Sequence, residues 1–335
     1  MAGVDDLLPE LKQCSADFAR LSGYSAGFYG VWVVHIGRQM KLFDRLSAGP
    51  TTIDELIFTT GLYSPAVRAW CSAALSYGII FKKKGLLQLK KHMKAMLIDK
   101  ISPEYLGGQF SYLALRSLDY GAFEQLFKSG KSREMTSASA LSAIEQATDW
   151  DHYAFLAAVR RNRKLHQLLS EGCRVLDVGC GTGSLLGKML KEYPQSSLVG
   201  IDPSEKAIAM AQKIANDKPI TILKRSGESM KFANEFDIVY LGESLYAVRD
   251  KIKVVSNCWR ALKKDGTIVI VEGLLPVSKF DADASRLISG MQLDFALQGH
   301  KFMSKKEIVL LLNSRFSKIR FEDLGGHVSL VTATK

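Results

Sequence analysis

At 335 residues the chain is too long for one compact core, and its length points to two domains with a connector between them. Hydrophobic residues make up 47% and charged residues 24%, which excludes a disordered chain, and no apolar run approaches the roughly 18 residues that span a bilayer. The net charge of +11 is shared between the halves: 21 Lys and Arg face 15 Asp and Glu in residues 1–165, and 24 face 19 thereafter. That is the distribution of a general solubility charge. The first residues lack a basic segment followed by an apolar one, so no secretory signal is read there. Cys14, Cys71, Cys173, Cys180 and Cys258 are scattered and never in CxxC spacing, which disfavours disulfides and a metal site and fits a reducing cytoplasm.

Taken in chain order, the first half reads as helical. Apolar spacing predicts a helix over 24–46, stopped by Gly49-Pro50. Thr51-Thr-Ile-Asp-Glu has the form of a helix start, and Gly61 ends that helix. Ser64-Pro65 opens the next, whose stripe is Val67, Trp70, Cys71, Ala74 and Leu75. Residues 78–81 and 86–89, separated by Lys82–Gly85, read as a β-hairpin. Helix, turn, helix and hairpin in that order make a winged-helix pattern over residues 1–100. A helical connector follows over 101–168, beginning near Pro103 and interrupted by the polar stretch 129–142. One feature is local: no acid lies between Glu55 and Asp99, where Lys82, Lys83, Lys84, Lys90, Lys91 and Lys94 gather. They form a solvated wing, an attraction for an anionic substrate, or a weak membrane-surface contact.

From 169 onward strands alternate with helices, which predicts a doubly wound, mostly parallel α/β sheet. The strand-like runs are 174–178, 197–201, 220–223, 236–241, 267–271, 318–321 and 327–332. Gly325-Gly326 alone joins the last two, too short for a crossover helix, so those strands are antiparallel. Val178-Gly-Cys-Gly-Thr-Gly183 stands between the first strand and a helix, where glycines let a backbone turn sharply and approach a ligand. Asp202 ends the second strand, 19 residues after Gly183, where an acid can accept both hydroxyls of a ribose. The structural alternative for Asp202 is a helix cap before Pro203, a role Ser204 could share. Glu228 follows the third strand at the same edge of the sheet.

These motifs, with Gly200-Ile-Asp-Pro-Ser, Phe236-Asp-Ile-Val and Ala261-Leu-Lys-Lys-Asp-Gly, resemble the ordered motifs of class I S-adenosylmethionine-dependent methyltransferases. The antiparallel last strand of the sheet is also that family's habit. The resemblance implies that Gly179, Gly181 and Gly183 pass under the methionine part of the cofactor and that Asp177 helps hold its ammonium. It assigns the ribose hydroxyls to Asp202, with Pro203 and Leu241 at the cofactor, and places Glu228 and Ser229 beside the adenine. The first half is similar to the winged-helix dimerisation domain of the small-molecule O-methyltransferases, in Lys41-Leu-Phe-Asp-Arg-Leu, Thr52-Ile-Asp-Glu-Leu and 73–80. Glu272 with Leu274-Leu-Pro276, and the stretch 292–311, are similar to that family's C-terminal half. A homodimer and a small-molecule acceptor are implied by this analogy.

One departure bears on chemistry. The family's deprotonating histidine falls after the fourth strand, and here that stretch, 241–250, contains no histidine. Glu272 retains an acidic neighbour of that base, and Phe302 replaces a second. His300 and Tyr246 are the alternative candidates for the base; otherwise the acceptor is an amine, or alignment alone suffices. Tyr153 and Phe155, in Trp150-Asp-His-Tyr-Ala-Phe155, take the family's pocket positions, the alternative being aromatic packing between the connector and the sheet domain. Rival readings are a DNA-binding winged helix and an inactive scaffold. The DNA reading is disfavoured, because the proposed recognition helix 64–77 carries Arg68 and otherwise small or apolar residues.

Overall fold

The computed structural model describes residues 4–102, 104–132, 138–216, 218–275, 282–325 and 328–335. Pro103, part of the polar stretch 129–142, Pro276, Gly326 and His327, all used in the sequence reading, lie outside the described residues. The chain forms two compact units, residues 1–118 and 119–335.

The first unit opens with α1 (Val4–Gln39), α2 (Leu42–Ala48), α3 (Ile53–Thr60) and α4 (Ser64–Ser76). It closes with β1 (Ile80–Lys83), β2 (Leu86–Leu89), α5 (Lys91–Leu97) and α6 (Gly107–Ser117). The single helix expected over 24–46 is two helices. The chain breaks at Lys41, whose φ of 55° is left-handed, and turns so that Phe43 folds back onto α1. Gly37 makes that return fit: a Cβ there would lie 2.5 Å from the Phe43 ring and 2.7 Å from Trp70. Phe43 and Trp70 meet edge to face at 5.4 Å, and Trp70 Nε1 donates to the Val33 carbonyl at 2.9 Å. These side chains centre the unit's core with Leu42, Leu46, Leu56, Val67 and Leu87.

The helix starts read from sequence are built as expected. Thr52 Oγ1 accepts from the Glu55 amide at 3.1 Å, and Glu55 Oε2 accepts from the Thr52 amide at 2.8 Å. Lys84 and Gly85, with φ of 50° and 82°, form the two-residue hairpin turn between β1 and β2. The six lysines around this hairpin are all exposed. Arg68, the one long polar side chain of α4, is paired with Asp54. α1 leaves Phe18, Leu21, Tyr24, Phe28 and Tyr29 exposed at a spacing that keeps most of them on one side of the helix. No helix among the described residues is long and apolar enough to cross a membrane.

The second unit begins with α7 (Phe123–Ser129), α8 (Ala138–Arg161) and α9 (Arg163–Glu171). Then strands and helices alternate: β3 (Arg174–Val178), α10 (Ser184–Glu192), β4 (Ser197–Asp202), α11 (Glu205–Ala215), β5 (Ile220–Lys224) and β6 (Phe236–Gly242). α12 (Lys251–Ala261), β7 (Leu262–Gly273), α13 (Ala282–Leu297), α14 (Lys305–Leu312), β8 (Ser317–Gly325) and β9 (Val328–Thr334) complete it. The seven strands lie in the order β5-β4-β3-β6-β7-β9-β8. β3 to β7 are mutually parallel, and β9 runs antiparallel to both neighbours, as the short joint implied.

Alternation along the strands feeds two cores. Ile268 and Ile270 of β7 pack with Leu176 and Val199, while Val269 and Val271 pack with Val175 and Leu198. β7 starts five residues before its expected beginning at 267. Leu262 pairs with Phe236, and an irregularity follows in which Asp265 takes a left-handed φ of 62°.

Replacing Gly37 by alanine tests the packing of α2 onto α1. The added methyl meets two buried rings, so Gly37→Ala should destabilise the protein by about 1–3 kcal/mol despite alanine's better helix propensity. Denaturant titration measures this, and an unchanged midpoint would show that the rings yield.

Candidate active site

The turn after β3 is bolted to β4. Gly179 and Cys180 amides both donate to the Ile201 carbonyl, at 2.8 and 3.0 Å. Gly200 permits this approach: a Cβ there would lie 2.8 Å from Cys180 Sγ. Gly179 at φ 85° and Gly181 at φ 52° hold conformations that suit glycine, and the space beyond Gly181 is open. Gly183, at φ 77°, caps α10 and faces Ala211 of α11.

Asp202 is oriented by backbone. Its Oδ2 accepts from the Gly181 amide at 3.1 Å and its Oδ1 from Ser204 at 2.7 Å. Ser204 Oγ caps α11 by accepting from the Ala207 amide. Burial raises the Asp202 carboxyl against the lowering effect of its two backbone bonds. Asp177, on β3, is buried; burial first and the Asp202 charge second push its carboxyl up to about 8.

Beside the glycine turn lies a cavity of about 110 Å³. Gly179, Cys180 and Gly181 form one side, Asp151 and His152 of α8 another, and Tyr240 and Glu243 at the end of β6 a third. Tyr240 reaches the strand end because residue 242 is glycine, where a Cβ would lie 2.3 Å from its hydroxyl. Glu243 has a left-handed φ of 46°, uncommon outside glycine. Its amide donates to Val271, and its Oε1 accepts from the Gly273 amide at 2.7 Å.

Glu272, on β7, is fully buried. Its Oε1 accepts from Ser244 at 3.0 Å and Leu245 at 2.6 Å, while its Oε2 has no hydrogen-bond partner among the described residues. Burial raises Glu272 to about 8 and holds Glu243 well above the usual carboxylate range, the neighbouring Glu272 charge adding to the latter. Burial also raises Asp151, with Glu243 and Asp149 adding to it. Lys188, the cation nearby, is engaged by Asp149 Oδ1 at 2.8 Å, Ser184 Oγ at 2.7 Å and His152 Nδ1 at 3.3 Å. Burial, reinforced by Lys188, lowers His152 to about 3, so its ring is neutral.

The structure brings Asp177, Gly179, Gly181, Asp202 and Glu272 to one edge of the sheet. It sorts the other candidates differently. Leu241 is wholly inside the core, and Pro203 is exposed. Phe155 is core as well, backing Tyr240 at 4.7 Å between ring centres. Tyr153 lies against the Lys188 ammonium. Glu228 and Ser229 line a separate hollow with Lys253 and Arg260, and Asn257 pins their turn by donating to the Gly227 carbonyl at 2.8 Å. Tyr246 and His300 meet at 5.8 Å between ring centres, in a stack with Phe295 and Phe302, and neither lines the cavity. Burial and Lys251 lower His300, leaving its ring neutral near pH 7. Asp151 and Glu243 were not singled out from the sequence.

Glu272 and Asp177 hold their protons more tightly folded than unfolded. Between the ordinary carboxyl range and about 8 the folded state therefore carries the extra protons, and stability falls as pH rises through that window. Glu272→Gln, which keeps an acceptor for the two amides, should show a smaller drop in melting temperature from pH 5 to pH 8 than the parent. Parallel declines would exclude Glu272 as a contributor.

Residues 176–270 match the family described as "Methyltransferase domain". Indole glucosinolate O-methyltransferase 5 of Arabidopsis thaliana is 28% identical over 52% of this chain and 48% of its own length. The chain spans about half the length of the curated relatives it matches. Among solved structures, the pyocyanin biosynthetic protein PhzM is similar with a TM-score of 0.71 at 16% identity, over 96% of this chain and 99% of that one. Human N-acetylserotonin methyltransferase in complex with SAM gives a TM-score of 0.67 at 16% identity, over 95% and 97%. Residues 176–270 are therefore a methyltransferase domain, carried in a chain that has the fold of these solved structures.

Proposed function

We propose that the protein transfers a methyl group from S-adenosylmethionine to an oxygen or nitrogen of a small molecule by in-line displacement, as a cytoplasmic homodimer. The observation that carries this reading is the glycine turn with the Asp202 carboxylate fastened to the Gly181 amide at its rim. The residues present fit the cofactor. Open space lies beyond Gly181 for a ligand backbone, and the acids around the turn are raised by burial, so a cationic nucleoside that ionises them gains partners. When bound, that group supplies a methyl on positively charged sulfur.

In this reading Asp177 faces the ammonium and Asp202 accepts the two ribose hydroxyls. The Arg225 amide donates to the Asp202 carbonyl, so the turn after β5 begins beside Asp202, and Glu228 and Ser229 there take the adenine end. Glu272 holds the amides after β6 and thereby positions Tyr246. His300, with a neutral ring, is the candidate base, and alignment of the acceptor supplies the rest of the rate.

Dimerisation rests on α1. Phe18 is 73% and Tyr29 65% exposed on that helix, an apolar stretch that water disfavours and a second copy can cover.

Titration calorimetry with S-adenosylmethionine and S-adenosylhomocysteine tests the assignment. Both should bind, and Asp202→Ala should weaken them by at least about a hundredfold, since charge-assisted bonds to two hydroxyls contribute about 1.5–3 kcal/mol each. Unchanged affinity would remove Asp202 from the site, and no binding by the parent would leave only a scaffold.

Sedimentation at micromolar concentration should find a dimer, and Leu21→Glu with Phe28→Glu should yield monomers. A monomeric parent would sink the dimer.

A further inference from the structure

We infer that the wing of the first unit is an electrostatic docking surface for an anionic lipid bilayer, with Lys82, Lys83 and Lys84 of the hairpin and Lys90, Lys91 and Lys94 at α5 as its contact cations. The inference goes beyond the methyl-transfer reading and does not depend on it. All six side chains are exposed, and none makes an ion pair with a described residue. Elsewhere on the surface lysines are matched: Lys224 with Glu205, Lys263 with Asp237, and Lys301 with Glu307. In the wing no acid lies between Glu55 and Asp99 to match them. A surface built for solubility mixes its signs, and a cluster of one sign repels itself.

Local physics favours other residues at three of the six positions. Lys84 opens the hairpin turn at a left-handed φ of 50°, where Asn or Asp before glycine is preferred. Lys90 is the N-cap of α5 and makes no side-chain cap, and Lys91 follows it in a first turn that holds no acid. Ser, Thr, Asp or Asn suits an N-cap, and the helix dipole favours acids there over cations. A chain that breaks local rules three times in one short stretch keeps those charges for an outside partner.

The partner's class follows from what accompanies the lysines. Between Gly78 and Lys100 no large apolar side chain is exposed: Phe81, Leu86, Leu89 and Met93 are half-buried, and Ile80, Leu87 and Leu97 belong to the core. A specific protein partner needs an apolar or aromatic anchor at the centre of its contact, and this patch offers none. Nucleic acid fits poorly as well. α4, the helix placed to read bases, exposes Ala66, Ala69 and Ser72, and its Arg68 is paired with Asp54. The patch holds lysine throughout and no arginine. Lysine is a point charge on a flexible stem, suited to a diffuse sheet of headgroups more than to bidentate capture of one phosphate. Clusters of roughly four to eight basic residues read anionic leaflets, and without an apolar anchor the contact is reversed by salt.

Co-sedimentation of the full chain with vesicles tests this. Vesicles of phosphatidylcholine with about 30% phosphatidylglycerol should bind it at least about tenfold more tightly than pure phosphatidylcholine at about 50 mM salt, and about 500 mM salt should release it. A variant combining Lys84→Asn, Lys90→Ser and Lys91→Gln takes residues the local structure favours or tolerates. It should melt no lower than the parent and lose at least tenfold in affinity for the anionic vesicles. Removing three exposed charges elsewhere, by Lys191→Gln, Lys213→Gln and Lys218→Gln, should leave that affinity within threefold. Should the wing variant fail to fold, Lys82→Gln, Lys83→Gln and Lys94→Gln together should show the same loss. Equal losses in the wing and control variants would make the attraction one of net charge and overturn the inference. Equal binding to pure phosphatidylcholine would also overturn it. So would duplex DNA or polyglutamate that binds more tightly than the anionic vesicles and is lost with the wing lysines, since the partner would then be another polyanion.

Discussion

Buried carboxyl groups at the carboxyl ends of three parallel strands organise the second unit. Asp177, Glu243 and Glu272 stand within one residue of the ends of β3, β6 and β7, and α8 adds Asp151 at the cavity. Acids so crowded and dry are tolerated only through other interactions. Backbone amides at Gly273, Ser244 and Leu245 bind some of the oxygens, and protons held past the usual carboxylate range offset part of the remaining charge. The sheet supplies the framework for this. Its two apolar cores make the strand ends rigid enough to keep carboxyls in positions they would leave if free.

Stiffness also comes from the contact between neighbouring strand ends. Ser244 Oγ donates to the Val178 carbonyl at 2.9 Å, and a Cβ at Gly179 would lie 2.6 Å from Ser244 Cβ. The segment after β6 is thus seated directly on the glycine turn, and Glu272 anchors it from behind. A change at any of these positions is transmitted to the others through packed atoms rather than through solvent.

Much of this was legible in the sequence where local chemistry and tertiary context agree. β3, buried on both faces, reads as a short, mostly apolar strand with the bounds the structure has. Asp202 and the glycines were found because a strand, a tight turn and a helix must follow at short, fixed spacing. The break in α1 was not legible, since Met40 and Lys41 carry no breaker; it is imposed by Phe43 returning to Gly37. The early start of β7 was hidden because Lys263-Lys-Asp-Gly has turn composition. At the site, Leu241 was placed at the cofactor but faces the core, and of the two readings open for Phe155 the packing one holds, since spacing alone does not say to which side a side chain points. Asp151 was passed over because its helix was read for its aromatics, and Glu243 because its stretch was read for an absent histidine.

Cys180 sits within the glycine turn and lines the same cavity. Sulfur is the softest nucleophile a side chain offers, and as a thiolate it would compete for any electrophilic carbon placed there. Burial foremost, with Asp177 and Asp202 adding, drives its thiol far above the usual range, so the sulfur keeps its proton. Burial of the turn therefore quiets the thiol, and the acids at the ends of β3 and β4 add to that effect. Self-alkylation of the protein's own loop is suppressed chiefly by the dryness of that turn.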